Sequence, residues 1–144
     1  MRANTPTSEV GVLARTCFDK AENLDELIAQ SFDSELMRQV VKLITKHFPN
    51  HPPRLFDNGK TFCALALGKN PLPSPDYEDA GYINIAPQKN YIALYIYDTT
   101  STFEQYTKDF PKSSIGKGCL RIKNQAFLDK YKENLSNLLR QYKL

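Results

Sequence analysis

The sequence has no tryptophan, only three cysteines and no long apolar run. The cysteines Cys17, Cys63 and Cys119 are odd in number and widely spaced, which argues against a disulfide framework and is typical of a reducing cytoplasm. The apolar runs have only the length of short strands, so we expect no membrane-spanning segment. The first ten residues lack the apolar stretch of a secretory signal. These absences predict a cytoplasmic protein without a membrane partner.

Motifs of metal and nucleotide chemistry are also missing. Pro49 separates His47 from His51, so one helix cannot present both as ligands, and no paired spacing of a structural zinc site occurs. The glycines at 116 and 118 lead into a strand rather than opening a helix, which excludes a phosphate-binding loop. No catalytic residue is assigned on this basis. An enzyme whose site assembles only in three dimensions stays an alternative.

Length and composition are those of one globular domain. The chain has 144 residues, of which 41% are hydrophobic and 24% charged, so it can bury a core without a metal or a disulfide. A net charge of +3 is too small to indicate nucleic acid as a partner. We expect residues 1–6 to form a disordered tail and residues 7–144 to form a single domain, whose oligomeric state the sequence does not define.

The clearest pattern lies in residues 81–97, where two alternating runs flank a short polar turn. Side chains of a strand point alternately to the two faces of its sheet. An antiparallel hairpin therefore places one aliphatic set on one face: Ile83, Ile85, Ile92, Leu94 and Ile96. The opposite face carries a polar and aromatic set: Tyr82, Asn84, Tyr91, Tyr95 and Tyr97.

Helices are predicted before and after this hairpin in the sequence, because apolar residues recur there at helical spacing. The predicted helices cover residues 10–21, 24–28, 33–48 and 127–142, with a short one near Phe103. Further strands are predicted at residues 54–56, 61–67 and 117–123. This order predicts an α+β fold, with a single, mostly antiparallel sheet of four to five strands and N- and C-terminal helices packed on one face.

Two of the strand regions resemble motifs of a known family. Residues 85–95 read IAPQKNYIALY and residues 116–123 read GKGCLRIK. In order and spacing they are similar to the turn-and-strand motif and the late strand of the YdhG-like family, a domain of unknown function. The resemblance covers roughly residue 24 to residue 144 and implies helices that cover a sheet. One member of that family is a frataxin-like intracellular iron chaperone, so the resemblance also implies iron as a ligand.

A row of acids could serve this implied role. The candidate metal ligands are Asp19, Glu22, Asp25 and Glu26. Carboxylate oxygens suit hard cations, and a frataxin-like chaperone would hold iron weakly on such a surface. The structural alternative is a solvated helix surface whose acids lie near helix N-termini and suit the helix dipole.

The tyrosine-rich face is the other candidate site. Lys117, Arg121 and Lys123 join it if the last strand pairs with its apolar side inward. Aromatic rings beside cations suit a small anionic ligand or a peptide. The alternative is a partly covered face whose hydroxyl groups have partners. We therefore predict a small non-enzymatic binding protein, with the iron chaperone as the alternative. Its predicted ligand-binding residues are Tyr82, Asn84, Tyr91, Tyr95, Tyr97, Lys117 and Arg121.

Overall fold

The computed structural model describes residues 21–59 and 62–144. Its helices are α1 (Leu24–Ala29), α2 (Ser34–Thr45), α3 (Thr102–Gln105) and α4 (Gln125–Leu139), with a 3₁₀ turn at Lys112–Ser114. Its strands are β1 (Arg54–Asp57), β2 (Cys63–Leu67), β3 (Ile83–Pro87), β4 (Ile92–Ile96), β5 (Ile115–Gly116) and β6 (Cys119–Ile122). The predicted tail at residues 1–6 and most of the helix predicted at 10–21 lie outside the described residues.

The strands form one antiparallel sheet in the order β1-β2-β3-β4-β6-β5. The α+β prediction is confirmed, although the described sheet has six strands rather than four or five. The strand predicted at 117–123 is shorter, Cys119–Ile122, and starts after Gly118 because that residue adopts φ +64°, a left-handed conformation that a strand does not contain. Residues 117–118 therefore form a turn, and the two-residue strand β5 pairs with β6 across it.

Each of the two long helices begins at a side-chain cap. The carboxylate of Asp33 accepts a hydrogen bond from the backbone N–H of Leu36 at 3.0 Å, and the amide oxygen of Asn124 accepts one from Phe127 at 2.8 Å. Such caps satisfy N–H groups that have no partner within the helix. Helical spacing then gives α2 and α4 one apolar stripe each, which contributes to the core: Leu36, Met37, Val40, Leu43 and Ile44 from α2, and Leu128, Leu135, Leu138 and Leu139 from α4.

The core lies between these helices and one face of the sheet. All five aliphatic residues predicted for the inward face are buried there, joined by Leu120 and Ile122 of β6. Complete burial of an aliphatic side chain contributes about 1.5–3 kcal/mol, so this layer supplies the main stabilisation of the fold. The predicted direction of the pleat in β3 and β4 is confirmed.

The other face of the sheet has a row of small residues at its centre. Ala86 lies opposite Ala93 across β3 and β4, and the row continues to Ala64 on β2. All three alanines are completely buried. In the described part of the chain, the apolar side chains packed over them come from strands and loops rather than from helices: Phe62, Tyr91, Tyr95 and Cys119.

Two of the three cysteines lie in the described region, on opposite faces of the sheet. Cys63 belongs to the helical core and is disulfide-bonded. The expectation against disulfides is therefore wrong for Cys63. Cys119 is a buried free thiol beneath the aromatic side chains of the other face, as a small apolar residue would be.

Candidate functional site

A cavity of about 360 Å³ opens on the sheet face that carries the alanine row. We call it the aromatic cleft. Four aromatic rings, one amide and one lysine contribute to its wall, and its lining residues are Phe62, Tyr77, Asn84, Tyr95, Ile96, Tyr97, Lys117 and Gly118. The cleft lies on the face for which a binding site was predicted.

Tyr95 occupies a fixed position at the centre of the cleft. Its backbone pairs with Asn84 of β3 and Cys119 of β6, and its ring meets Phe62 edge-on with 5.4 Å between centroids. Its hydroxyl accepts a hydrogen bond of 3.3 Å from the side-chain amide of Gln88. Burial raises the pKa of Tyr95 to about 12, with smaller contributions from Cys119 and Tyr91. The phenol therefore stays neutral and can take part in hydrogen bonds to a ligand.

Tyr77 forms the outer wall, although it belongs to the long loop between β2 and β3. Its ring lies 5.9 Å from that of Phe62 and 6.2 Å from that of Phe56. The nearly buried Asn70 holds the loop in place: its amide nitrogen donates to the carbonyl of Tyr77 at 2.8 Å, and its amide oxygen accepts from the N–H of Leu72 at 2.9 Å. These hydrogen bonds hold the loop, and with it the ring of Tyr77, against the side of the cleft.

Lys117 supplies the positive charge of the cleft. It lies in the turn between β5 and β6, is exposed, and has no hydrogen-bond or ion-pair partner among the described residues. The next residue, Gly118, accepts a 2.9 Å hydrogen bond from the N–H of Ile96, and a side chain at Gly118 would approach the Ile96 carbonyl to 3.0 Å. This close contact with β4 fixes the turn beside the aromatic rings.

Asn84 forms part of the cleft floor but has a structural role as well. Its amide oxygen accepts from the N–H of Gly81 at 2.8 Å, and its amide nitrogen donates to the Gly81 carbonyl at 2.9 Å. Only 1% of the residue is exposed. These bonds satisfy a buried polar side chain and hold the start of β3. Only the second N–H and the second lone pair of the amide oxygen are therefore left to bond to a ligand.

Four of the seven predicted ligand-binding residues meet in the cleft, namely Asn84, Tyr95, Tyr97 and Lys117. Two others are elsewhere on the same face: the guanidinium carbon of Arg121 lies 6.0 Å from the ring centroid of Tyr91, and Arg121 also donates to the carbonyl of Ser113 at 3.3 Å. They form a cation–π pair outside the cleft.

Tyr82 lies away from the other predicted residues. Its ring packs against Tyr142, with 5.8 Å between the centroids, and it borders the helical core. The prediction that it shares the tyrosine face is wrong: its carbonyl accepts a 2.9 Å hydrogen bond from the N–H of Tyr97, but its ring packs on Tyr142.

Two aromatic residues of the cleft were missed from the sequence. Phe62 directly precedes β2. Because it is two residues before Ala64 and four before Ala66, the alternation of the strand places it on the same sheet face as these alanines. Tyr77 carries no such signal, since it lies in an irregular loop whose path depends on the hydrogen bonds of Asn70.

No family model, curated protein or solved structure matches the chain. The resemblance to the YdhG-like family therefore stays a prediction, untested by relatives. Function has to be inferred from the geometry of the cleft and from the chemistry of its residues.

The predicted metal ligands do not assemble into a site in the described region. One carboxylate oxygen of Glu26 accepts from the backbone N–H of Glu22 at 2.9 Å, next to the cap of α1 at Asn23. Within residues 21–59 and 62–144, no three His, Cys, Asp or Glu side chains come together in a way that could hold a metal ion. Asp19 lies outside these residues, and iron binding stays a prediction.

None of the helices among the described residues is both long enough and apolar enough to cross a membrane.

Proposed function

We propose that the protein binds a small organic anion in the aromatic cleft and does not chemically transform it. The observation that carries this proposal is the unpaired Lys117 beside four aromatic rings in one cavity. An exposed lysine without a partner is free to pair with an anion. Rings held at fixed positions bind an apolar body without first having to be ordered.

The lining of the cleft defines the class of ligand. The rings of Phe62, Tyr77, Tyr95 and Tyr97 favour a flat apolar body, which can stack on a ring face or meet a ring edge. A cavity of about 360 Å³ is at the small end of the range for small-molecule sites, which favours a compact molecule over a peptide. The ammonium group of Lys117 suits a carboxylate on that body. An aromatic carboxylate combines these properties.

The ionisation of the cleft supports binding rather than catalysis. Burial raises the pKa of Tyr95, of Tyr97 and of the Cys119 thiol beside Tyr95, so all three are protonated at neutral pH. A nucleophile or general base requires the opposite, a group that loses its proton near the working pH. Tyr95 and Tyr97 therefore line the cleft as neutral hydrogen-bond donors, and Cys119 is a protonated thiol packed beside Tyr95.

Calorimetric titration with naphthalene-2-carboxylate and its uncharged carboxamide tests the proposal. The carboxylate should bind the native protein more tightly than the carboxamide, and Lys117→Ala should weaken carboxylate binding about tenfold, the effect of losing one charge-assisted contact. Lys123→Ala is the matched control, because Lys123 is also exposed but does not line the cleft. Its affinity should stay within about twofold of the native value.

Three results would contradict the proposal: no binding of either compound, equal binding of the carboxamide, or equal losses in the Lys117 and Lys123 variants. Because the protein contains no tryptophan, the fluorescence of the naphthalene ring can be followed against little protein emission, which provides an independent measurement.

A cytoplasmic location is part of the same proposal. The disulfide at Cys63 makes the redox state of this residue informative, since cytosolic thiols are kept reduced. Acid quenching of cells, alkylation under denaturing conditions that expose the buried Cys63, and intact-mass measurement should show Cys63 alkylated if the protein resides in the cytoplasm. An unmodified, cross-linked Cys63 would instead indicate an oxidising compartment.

A further inference from the structure

A second cavity, of about 210 Å³, lies between the two long helices α2 and α4. Its lining residues are Gln39, Lys42, Leu43, Lys46, Leu128 and Lys132. We call it the lysine groove. Lys42 and Lys46 are four residues apart on α2 and therefore share a face, and Lys132 faces them from α4. The leucines beneath are nearly completely buried, so the groove has an apolar floor and a cationic rim.

The three ammonium groups have no ion-pair partner among the described residues. All three lysines are exposed, and none forms a hydrogen bond or an ion pair through its side chain. Two carboxylates on these helices, those of Glu35 and Asp129, form their hydrogen bonds with other side chains. Glu35 bonds to Arg38 at 3.2 Å and Gln39 at 3.4 Å, and Asp129 accepts from Gln125 at 2.9 Å.

A hydrogen bond fixes the separation of the two helices at the groove. The side-chain nitrogen of Gln125 on α4 donates to the side-chain oxygen of Gln39 on α2 at 2.8 Å. The helix backbones that carry the lysines are thus linked beside the groove. Three like charges on a stable scaffold repel one another, and an anion placed between them relieves that repulsion.

The neighbouring His47 experiences the same excess of positive charge. Burial is the largest cause that lowers the pKa of its imidazole, and the positive charges of Arg140 and Lys46 lower that pKa further. The positive field therefore extends from the groove toward the end of α4. Such a field attracts anions with several charges more strongly than those with one.

From this placement we infer that the lysine groove is a second binding site, for a compact polyanion such as a chain of linked phosphate groups. Separate oxygens of one ligand would contact lysines on both helices. A single phosphate can engage fewer of them at once. The site lies in the helical layer, whereas the aromatic cleft lies on the other face of the sheet, so the two sites can be tested separately.

Titration of the full chain with inorganic tripolyphosphate and with orthophosphate tests the inference. Tripolyphosphate should bind at least about tenfold more tightly, because it can pair with more than one lysine. The double variant Lys46→Ala/Lys132→Ala should lose about tenfold in tripolyphosphate affinity. The control Lys69→Ala/Lys123→Ala removes two exposed lysines outside the groove and should bind within about twofold of the native protein.

The double variant Lys46→Arg/Lys132→Arg should retain most of the affinity, since it keeps both charges, and thermal unfolding confirms that each variant is folded. If both double alanine variants lose the same amount of tripolyphosphate affinity, the loss is caused by the lower net charge of the protein, and the proposed site is wrong. Equal affinities for the two anions, or no binding to the native protein, would overturn it as well.

Discussion

The hydroxyl of Tyr142 donates a 2.8 Å hydrogen bond to the carboxylate of Asp98, 44 residues earlier in the chain. The same carboxylate oxygen accepts from the backbone N–H of Phe103 at 2.7 Å, and the other accepts from the hydroxyl and the N–H of Thr100. Asp98 thus connects the end of β4, the start of α3 and the residues after α4. One carboxylate holds together three segments that are distant in sequence.

Removing the Tyr142 hydroxyl should measure the strength of this link. We expect Tyr142→Phe to lower the free energy of unfolding by about 1.5–3 kcal/mol, the usual contribution of a hydrogen bond to a charged group. Tyr106→Phe is the control, because Tyr106 is 42% exposed and its hydroxyl has no partner in the described chain. Urea denaturation of both variants gives the comparison. Equal changes would show that the link contributes nothing.

Asp98 should also make stability depend on pH in the acid range. Burial acts to raise its pKa, but hydrogen bonds from Thr100, Tyr142 and Phe103 outweigh it, and the folded-state pKa lies below the ordinary value of 3.8. The stabilisation is present above that value and is lost as pH falls through the folded-state pKa. The difference in unfolding free energy between native protein and Asp98→Asn should shrink as the pH of urea titrations is lowered below about 4. The exposed Asp79 provides the control, Asp79→Asn, and a difference that stays constant over this range would exclude the link.

Tyr95 should affect stability at the other end of the pH scale. The unfolded chain releases a phenolic proton near pH 10.0, whereas burial raises the pKa of Tyr95 to about 12 in the folded protein. Its contribution is therefore complete below pH 10.0 and is lost as the pH rises toward 12. Stability measured in denaturant should fall less steeply over this range in Tyr95→Phe. A loss as steep as that of the native protein would mean that other tyrosines cause it.

Gly81 should tolerate no side chain. A Cβ atom there would lie 2.5 Å from the backbone nitrogen of Leu67 and 2.7 Å from the carbonyl oxygen of Ile83, and backbone atoms cannot move aside cheaply. We expect Gly81→Ala to cost about 3 kcal/mol or more, or to prevent folding. Gly59→Ala is the comparison, since nothing lies within 4 Å and only its φ of +77° opposes a side chain; its cost should be about 1 kcal/mol. Thermal unfolding that ranks Gly59→Ala as the more damaging would contradict the packing at Gly81.

Phe62 should be the most important ring of the cleft for stability. Its ring centroid lies 5.4 to 6.0 Å from those of Phe56, Tyr77 and Tyr95, and aromatic pairs contribute about 0.5–1.5 kcal/mol each beyond the burial of area. Phe62→Ala should lower the free energy of unfolding by about 2 kcal/mol or more. Phe32→Ala should have little effect, because 45% of Phe32 is exposed. Denaturation midpoints of the two variants test this, and similar values would show that Phe62 is not important for stability.

The direction of the pleat could be predicted because the signal is local. Ile83 and Ile85 alternate with Asn84 over a few residues, and the same period of two continues through β4. Given one buried face, this pattern decides which side chains lie beneath the helices. It also brought Tyr95 and Tyr97 to the same side of the sheet as Lys117, which is the basis of the candidate site.

The remaining features depend on contacts between distant segments or on single backbone angles. Tyr77 reaches the cleft only because Asn70 folds its loop back, and no periodic pattern encodes that path. Strand β5 exists because Gly118 turns the chain after two paired residues. The ring of Tyr82 packs on Tyr142 in the C-terminal segment instead of joining the other tyrosines. These outcomes are decided by tertiary packing, which a local pattern does not contain.

Individual rings, each attached by its own rotatable bonds, cover the alanine row on the second face of the sheet. A substitution in a covering helix would disturb that whole element, whereas a substitution of one of these rings changes a single part of the cover. We therefore expect mutation to alter the outline of the aromatic cleft one side chain at a time, while the strands below keep their register.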